Sequence, residues 1–441
     1  MNKLDRVYTP TPGHDPDTLP DLGTALIDPG RFWRPEVMAR EWDRIWTKVW
    51  NMGPRLEELP EPGDYALLEL GRESFIFVRG QDGQVRGFFN VCRHRGNRLA
   101  LGDSCGHAKS FQCGFHHWEW HIDGSLKHIP DDDSYPQFRD GVPCDKLGLK
   151  PVRVDCWGGW VWYTLNQAAE PLRAYLGAVA DHLDPYEFER ATVIDHKTFE
   201  WDCNWKASVD AFNESYHVQG VHPQLLDWVN DYSPIDILGI HSRMITQFGT
   251  VSPRCPEQDR LGPGMRALMS ALGIHPDDYD GPPKDVRLEV QRRKRAVQDD
   301  VHFPYKNLTD EQLSDDYHYC IFPNVTFNTL AESVMVFRHR PHPTDPTRMF
   351  WDLSFVQHLP PGTPPPEFTH RTVKHGAEPI GDVLESEAKS MGTIEVLEQD
   401  AYNMPHVQAG LMSQAYDGYL IGDQELRVRH FHKVVDDFLA R

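Results

Sequence analysis

The sequence predicts an α+β protein in which an all-β domain precedes a larger domain whose helices are segregated from an antiparallel sheet. Three observations predict it. Between about residues 53 and 166, short strand-like runs are punctuated by glycine, with Asp-Gly turns at Asp82-Gly83 and Asp123-Gly124. After Glu170, strand-like runs at 191–202, 324–329, 333–340 and 349–357 are mixed with segments of helical periodicity. The chain has 441 residues, about three times the usual domain size of roughly 150, so two or three domains are expected.

The elements follow in chain order. The first 21 residues hold four prolines and four aspartates and no apolar stretch of the kind that marks a secretory signal. Residues 36–50 read as an amphipathic helix, with Val37, Trp42, Ile45, Trp46 and Val49 at helical spacing. Together these form an N-terminal segment, 1–52. Strand-like runs at 65–70, 74–78 and 84–89, and a tryptophan-rich run at 156–165 that closes them, define the β domain, 53–166. In the larger part, 167–441, residues 205–217 are helical, 252–280 are a surface stretch interrupted by glycine and proline, and 287–299 are a charged helix. A Pro-rich loop at 360–366 precedes a long final helical pattern from 382 to about 404.

Composition excludes several classes. Acidic residues number 66 against 45 basic ones, a formal net charge of −21, which argues against gripping phosphate backbones. Mean hydropathy is −0.56 and no apolar run is long enough to span a bilayer. With 39% hydrophobic residues and 13 tryptophans the chain can bury sizeable cores. Eight cysteines without a signal segment point to reduced thiols or metal ligands. The expectation is a soluble, acidic, cytoplasmic protein with neither a nucleic-acid nor a membrane partner. The placement of its 23 histidines decides the rest.

The first constellation is Cys92-Arg93-His94 and, after eighteen intervening residues, Cys113-Gly114-Phe115-His116. Each pair follows a strand-like run, where a tight loop can aim two side chains at one point. Two thiolates and two imidazoles suit tetrahedral zinc, or a [2Fe–2S] cluster with both cysteines on one iron and both histidines on the other. Zinc sites of this composition usually place like ligands close in sequence, whereas each half here supplies one cysteine and one histidine. Cys92-Arg93-His94-Arg95-Gly96 with Cys113-Gly114-Phe115-His116-His117-Trp118 resembles the Rieske [2Fe–2S] motif of ring-hydroxylating oxygenases. In that family glycine often stands at the place of His117. Cys105, between the pairs, reads as a loop thiol.

The second constellation runs from Asn204-Trp205-Lys206 through Glu214, His217 and His222-Pro223. Glu214 and His217 are three apart and share a face if helical. His217 and His222 are five apart, roughly 140° out of register on a continuous helix, and converge on one ion if the helix ends between them. Gly220 and Pro223 provide that ending. Two histidines beside a helix break, with one carboxylate from elsewhere, match the facial triad of non-haem Fe(II) oxygenases. Candidates for the carboxylate are Glu395, Glu398 and Asp400 of the final helix. Ile394, Leu397, Ala401 and Met404 form an apolar arc that Val396 widens to include Asp400, while Glu398 falls roughly 40° and Glu395 roughly 100° beyond the other flank. Tyr402 widens the arc towards Glu398, so geometry leans to Asp400 with Glu398 still open.

Asn204-Trp205-Lys206 followed by His217 and His222 is similar to the mononuclear-iron motif of Rieske oxygenase α subunits, and Asp400 before Val407-Gln408-Ala409-Gly410-Leu411 resembles their late aspartate. The resemblance implies a β-sandwich Rieske domain, holding its cluster on Cys92, His94, Cys113 and His116, beside a helix-grip catalytic domain on which the N-terminal helix packs. It implies Fe(II) on His217, His222 and Asp400, with Asn204 near the iron. Family members usually have aspartate where this chain has Glu214. There it bridges a catalytic-iron histidine to a Rieske histidine of the neighbouring subunit, so Glu214 is expected to link His217 to His116 of another copy. Some relatives acting on quaternary ammonium compounds also carry glutamate there.

The implied function is a terminal oxygenase component that uses dioxygen and electrons, ultimately from NAD(P)H through a ferredoxin or flavin reductase, on an apolar, aromatic substrate. A homotrimer is implied, with a β subunit optional. A quaternary ammonium substrate is the alternative within the family, and a Rieske electron carrier or a zinc-stabilised binding protein the alternatives outside it. Arg93, Arg95 and Arg98 offer a local basic patch for a reductase. Residues 225–248 and 324–352 are where substrate contacts are expected. His117 and His121 are read as packing residues or neighbours of the cluster ligands, His406 as a candidate neighbour of the iron, and His339, His342, His430 and His432 as residues of the surface or of subunit contacts.

Overall fold

Glycine-centred turns set the strand boundaries in the first half of the chain. The computed structural model describes residues 19–101, 105–368, 370–374, 376–385 and 394–441. Its β-rich unit spans Trp42–Tyr175. The strands are β1 (Asn51–Arg55), β2 (Asp64–Leu70), β3 (Glu73–Arg79), β4 (Val85–Phe89), β5 (Cys105–His107), β6 (Ser110–Gln112), β7 (Glu119–His121), β8 (Leu126–His128), β9 (Pro151–Trp157) and β10 (Trp160–Thr164). Seven of them form one sheet in the order β1-β10-β9-β4-β3-β2-β5, and β6-β7-β8 form a second. Gly83 (φ 78°) turns β3 into β4, and Gly124 (φ 85°) turns β7 into β8. The tryptophan-rich run at 156–165 is the turn and second strand of a hairpin, β9 to β10. Gly158 and Gly159, at φ 62° and 86°, supply the two successive left-handed residues that a tight hairpin turn requires. Cys105 lies on β5, not in a loop, opposite Ala66.

The N-terminal segment divides between the units. Residues to Glu41 group with the second unit, whereas Trp42 onwards group with the first. The expected helix 36–50 ends early: α1 covers Pro35–Glu41, a π-type turn follows at Trp42–Trp46, and the chain then enters β1 as the partner of β10. Trp46 and Trp50 are buried there, the Trp50 indole donating to the Glu170 carbonyl at 2.9 Å.

The second unit, Met1–Glu41 with Leu176–Arg441, is built on a nine-stranded sheet. Its strands are β11 (Thr192–Trp201), β12 (Val229–Asn230), β13 (Ile235–Leu238), β14 (His241–Phe248), β15 (Asp316–Ile321), β16 (Val325–Thr329), β17 (Ser333–Pro341), β18 (Met349–Gln357) and β19 (Thr372–Lys374). The order is β12-β14-β15-β16-β17-β18-β11-β19, with β13 also on β14, antiparallel except for the short β11–β19 pair. The helices that matter for the site are α2 (Trp205–Phe212), α3 (Val218–Val221), α4 (Pro263–Ala271), α5 (Val286–Ala296), α6 (Ile394–Leu411) and α7 (Leu426–Ala440). A buried ion pair, Lys206 Nζ to Glu41 Oε1 at 2.5 Å, and the Trp205 indole donating to Glu41 Oε2 at 3.1 Å fasten α1 to α2.

Three expectations about helices and surface stretches are corrected. The helix expected over 205–217 stops at Phe212, because Asn213 turns out of it with its N–H on the Asp210 carbonyl. The stretch 252–280 contains α4, opened by Pro263 in its first turn, and its Met265 and Met269 are fully buried. The final helical pattern is not continuous from 382: a short helical turn ends at Val383, residues 386–393 lie outside the described residues, and α6 runs on past Met404 to Leu411 through Pro405. Strand β15 and helix α7 carried no sequence expectation. Among the described residues, no helix is long and apolar enough to cross a membrane.

Candidate functional site

The two Cys/His loops of the β-rich unit have the same backbone pattern. Cys92 N–H donates to the Asn97 carbonyl and Cys113 N–H to the Trp118 carbonyl, each five residues on. Gly96 N–H returns to the Cys92 carbonyl at 3.1 Å and His117 N–H to the Cys113 carbonyl at 3.0 Å. Gly96 (φ 79°) and His117 (φ 59°) are therefore equivalent left-handed positions. Glycine takes that conformation freely, whereas a side chain costs about 1–2 kcal/mol. That is the physical sense of finding glycine at this place in the family.

The loops bring like ligands together. Cys92 and Cys113 are buried free thiols within hydrogen-bonding reach of one another, and the His94 and His116 rings lie 4.7 Å apart edge to face. Burial pushes the Cys92 thiol up. Burial works the same way on Cys113, but backbone N–H groups of Phe115 and His116 and the Asn97 amide outweigh it and hold that thiol down. His94 stacks on Trp118 at 4.9 Å, and its buried Nδ1 has no partner among the described residues. Two sulfurs on one side and two imidazoles on the other, with an orphaned ring nitrogen, fit a [2Fe–2S] cluster. Among the described residues these four are not among the sets compact enough to share a single ion, which is what zinc needs. Of the arginines beside them, Arg98 pairs with Glu69 and Arg95 lies 5.3 Å over the exposed Phe115 ring.

In the second unit, His217, His222 and Asp400 offer ligand atoms that all lie within 4.8 Å of one another. His222 Nε2 is 3.0 Å and His217 Nε2 3.7 Å from Asp400 Oδ1. The break after Phe212 matters here. Glu214 and His217 sit in the turn between α2 and α3, not on one continuous helix, and His222 follows α3. Each ring is held by its other nitrogen. His217 Nδ1 donates to Glu214 Oε1 at 2.6 Å and His222 Nδ1 to Gln399 Oε1 at 2.6 Å, which leaves both Nε2 atoms facing Asp400. Burial works against a charged His217 ring, yet the Glu214 and Asp400 carboxylates push it up to about 9, so the site favours a cation. Two imidazoles and a carboxylate fit Fe(II) in a facial triad.

Asp400 is buried, 5% exposed, whereas Glu398 is occupied by the Gly381 N–H at 2.9 Å and Glu395 is exposed. Of the three candidate carboxylates, Asp400 is the one whose oxygen converges with both histidines among the described residues. Asn204 is placed differently from its expectation. It caps α2, its side chain accepting from Lys206 N–H and donating to the Pro346 carbonyl, and it does not line the cavity. His339, His430 and His432 are buried, not superficial: His339 bonds Ser208 and His432 bonds Asp210 and Arg31. His406 is exposed. Gln399 was missed by sequence reasoning, where its adjacency to Asp400 was the available signal.

The triad opens into a cavity of about 320 Å³. One wall carries Phe212, Val396 and Leu397 of the helices with Leu225 and Trp228 of the turn after His222; the sheet wall carries Met244, Phe248, Asn328, Met335 and Phe337. The two expected substrate regions thus both contribute, joined by Asp316 and His318 of β15. Trp228 and Phe248 pack edge to face at 5.0 Å, and Phe212 and Phe337 pack at a tilt of 55° with their rings 4.6 Å apart.

Residues 49–139 match the model of the Rieske [2Fe-2S] domain, and residues 188–441, more than half of the chain, match that of the ring hydroxylating alpha subunit (catalytic domain). The chain is 30% identical over 193 residues to the glycine betaine monooxygenase oxygenase subunit of Pseudomonas aeruginosa (strain UCBPP-PA14), a match covering 43% of this chain and 43% of that protein. It is 34% identical over 197 residues to the large oxygenase component of the naphthalene 1,2-dioxygenase system of Pseudomonas putida, again 43% of each. These matches thus span less than half the length of either relative. Among solved structures, a quaternary ammonium Rieske monooxygenase in complex with L-carnitine shares the fold, with a TM-score of 0.67 at 18% identity over 95% of this chain and 97% of that one. With the Rieske domain preceding the matched catalytic domain, this chain belongs to the ring-hydroxylating alpha subunit family.

Proposed function

We propose that the protein is the terminal oxygenase component of a Rieske non-haem iron system. It takes electrons originating from NAD(P)H, through a ferredoxin or flavin reductase, and hydroxylates, cis-dihydroxylates or oxidatively dealkylates a largely apolar, aromatic substrate in the cytoplasm. The observation that carries this reading is the meeting of His217, His222 and Asp400 at one wall of an aromatic-lined cavity. The [2Fe–2S] cluster supplies single electrons and the mononuclear iron supplies dioxygen activation. The chain's own residues do the rest. Gln399 and Glu214 orient the two imidazoles, Asp400 provides the charge, and the apolar walls exclude water.

Glu214 is assigned to the electron path, linking His217 to His116 of a second copy. In support, Glu214 and Asp400 also line a second cavity of about 390 Å³ together with the exposed side chains of Val407, Tyr416 and Leu420. Exposed apolar groups beside the iron-binding residues suit burial by another subunit, in keeping with a trimer. A quaternary ammonium substrate is the second reading, favoured by glutamate at 214 and by the similarity to a glycine betaine monooxygenase subunit. A substrate screen with a surrogate reductase tests both, following oxygen uptake and product mass. Substrate-dependent uptake with oxygen incorporated into, or a methyl lost from, the substrate supports the oxygenase. Electron acceptance without any oxygen uptake contradicts it.

A further inference from the structure

Two buried polar atoms in the aromatic-lined cavity have no partner among the described residues: Asp316 Oδ1 and His318 Nε2. Asp316 and His318 alternate on β15, so their side chains leave the same face of the sheet, the face that also presents Met244 and Thr246 of β14 to the cavity. His318 is 2% exposed, and its Nδ1 lies 3.0 Å from Nη2 of the fully buried Arg427. A guanidinium only donates, so Nδ1 accepts and the ring proton sits on Nε2. Burial, with Arg427 alongside, pulls His318 well below the usual histidine range, which keeps the ring neutral in that tautomer. His318 therefore presents an N–H donor. Asp316 Oδ1 beside it is an acceptor when the carboxyl is ionised, and burial pushes that carboxyl up to about 7 against the pull of the Thr329 amide and Arg427.

A cavity built for a bare hydrocarbon gains nothing from an unmet donor and an unmet acceptor, because each is costly to bury alone. A quaternary ammonium nitrogen has no N–H for Asp316 and no lone pair for His318, so it meets the pair by charge alone and leaves the His318 donor unmet. Residues two apart on a strand are separated by about 6.6 Å, a gap that one planar group can span by donating to one side and accepting from the other.

We propose that Asp316 and His318 are specificity residues that hold a substrate head group carrying an N–H and a C=O together, of the amide or lactam class. The apolar body of that substrate lies against Phe212, Trp228, Phe248 and Phe337. The inference rests on the oxygenase reading, which makes this cavity the substrate site, and narrows its substrate class.

The test is calorimetric binding of four probes of similar size to the protein loaded with both iron centres. Benzamide offers both groups, acetophenone only the carbonyl, benzylamine only N–H, and ethylbenzene neither. Benzamide is expected to bind at least about tenfold more tightly than acetophenone, with ethylbenzene weakest. Asp316→Leu is expected to remove the advantage of benzamide over acetophenone. The ranking in the unsubstituted protein stands as a test even if that variant fails to fold. Absence of benzamide binding, equal affinity of benzamide and ethylbenzene, tighter binding of benzylamine, or an undiminished preference in a folded Asp316→Leu protein overturns the proposal. Oxygen uptake by the same preparation reports separately on the oxygenase reading: uptake without the ranking overturns the head-group assignment alone.

Discussion

Glu214 accepts two hydrogen bonds from His217, one from the ring Nδ1 at 2.6 Å and one from the backbone N–H at 3.0 Å. The second bond closes the turn between α2 and α3, and the first fixes which ring nitrogen faces Asp400. One carboxylate thus shapes the backbone and orients a candidate metal ligand.

Glu214→Gln keeps an acceptor for Nδ1 but removes the charge. Iron content and the visible absorption of the cluster are expected to be retained while turnover falls at least about 10- to 100-fold. Stopped-flow oxidation of the reduced cluster in the presence of substrate and dioxygen checks it. Normal turnover in the variant removes Glu214 from the electron path.

Gln399 accepts from His222 Nδ1 and, at 2.8 Å, from the Gln224 amide. Gln399→Leu leaves that imidazole without its outer partner. Retention of the mononuclear iron against a chelator is expected to weaken by about 10- to 100-fold, and Gln399→Glu to restore most of it. Unchanged retention in Gln399→Leu means that His222 is oriented by packing alone.

His117→Gly is expected to stabilise the β-rich unit by about 0.5–1 kcal/mol, because glycine adopts the φ of 59° without the side-chain penalty and loses part of that gain to chain entropy. A shift of the urea midpoint measures it. A destabilised variant shows that the His117 ring makes contacts worth more than the strain.

Burial pulls His339 down to about 3, with Asp352 opposing weakly. Its folded value lies below the ordinary one near 6.5, so the neutral ring's contribution to stability is complete above that pH. It is lost as pH falls from about 6.5 towards 3, at about 1.4 kcal/mol per pH unit. Denaturant midpoints at pH 7 and pH 5 should differ by more in the unsubstituted protein than in His339→Phe. Equal slopes sink the assignment.

The sequence made the metal chemistry legible because ligand spacing is local. The Cys-x-His and Cys-x2-His loops each close through hydrogen bonds within five residues, and Asp400 was picked out by an apolar arc on its own helix. Properties set by distant partners were not legible. The helix break at Asn213 depends on a single turn residue, and the burial of His339 and His432 depends on Ser208 and Asp210, more than a hundred residues away. Asp316 and His318 alternate with Tyr317, Tyr319 and Ile321, which are buried on the other face of β15. That alternation is a strand signal, but it is only six residues long and carries two polar residues on its cavity face, so the polar pair went unread.

The central claim is that one chain carries both a two-iron cluster and a separate mononuclear iron. Quantitation of iron and acid-labile sulfide on the purified protein tests it most directly, beside Asp400→Ala. The account predicts about three irons and two sulfides per chain, falling to about two irons with unchanged visible absorption in the variant. Two irons in both proteins, or zinc in place of iron and sulfide, contradicts it.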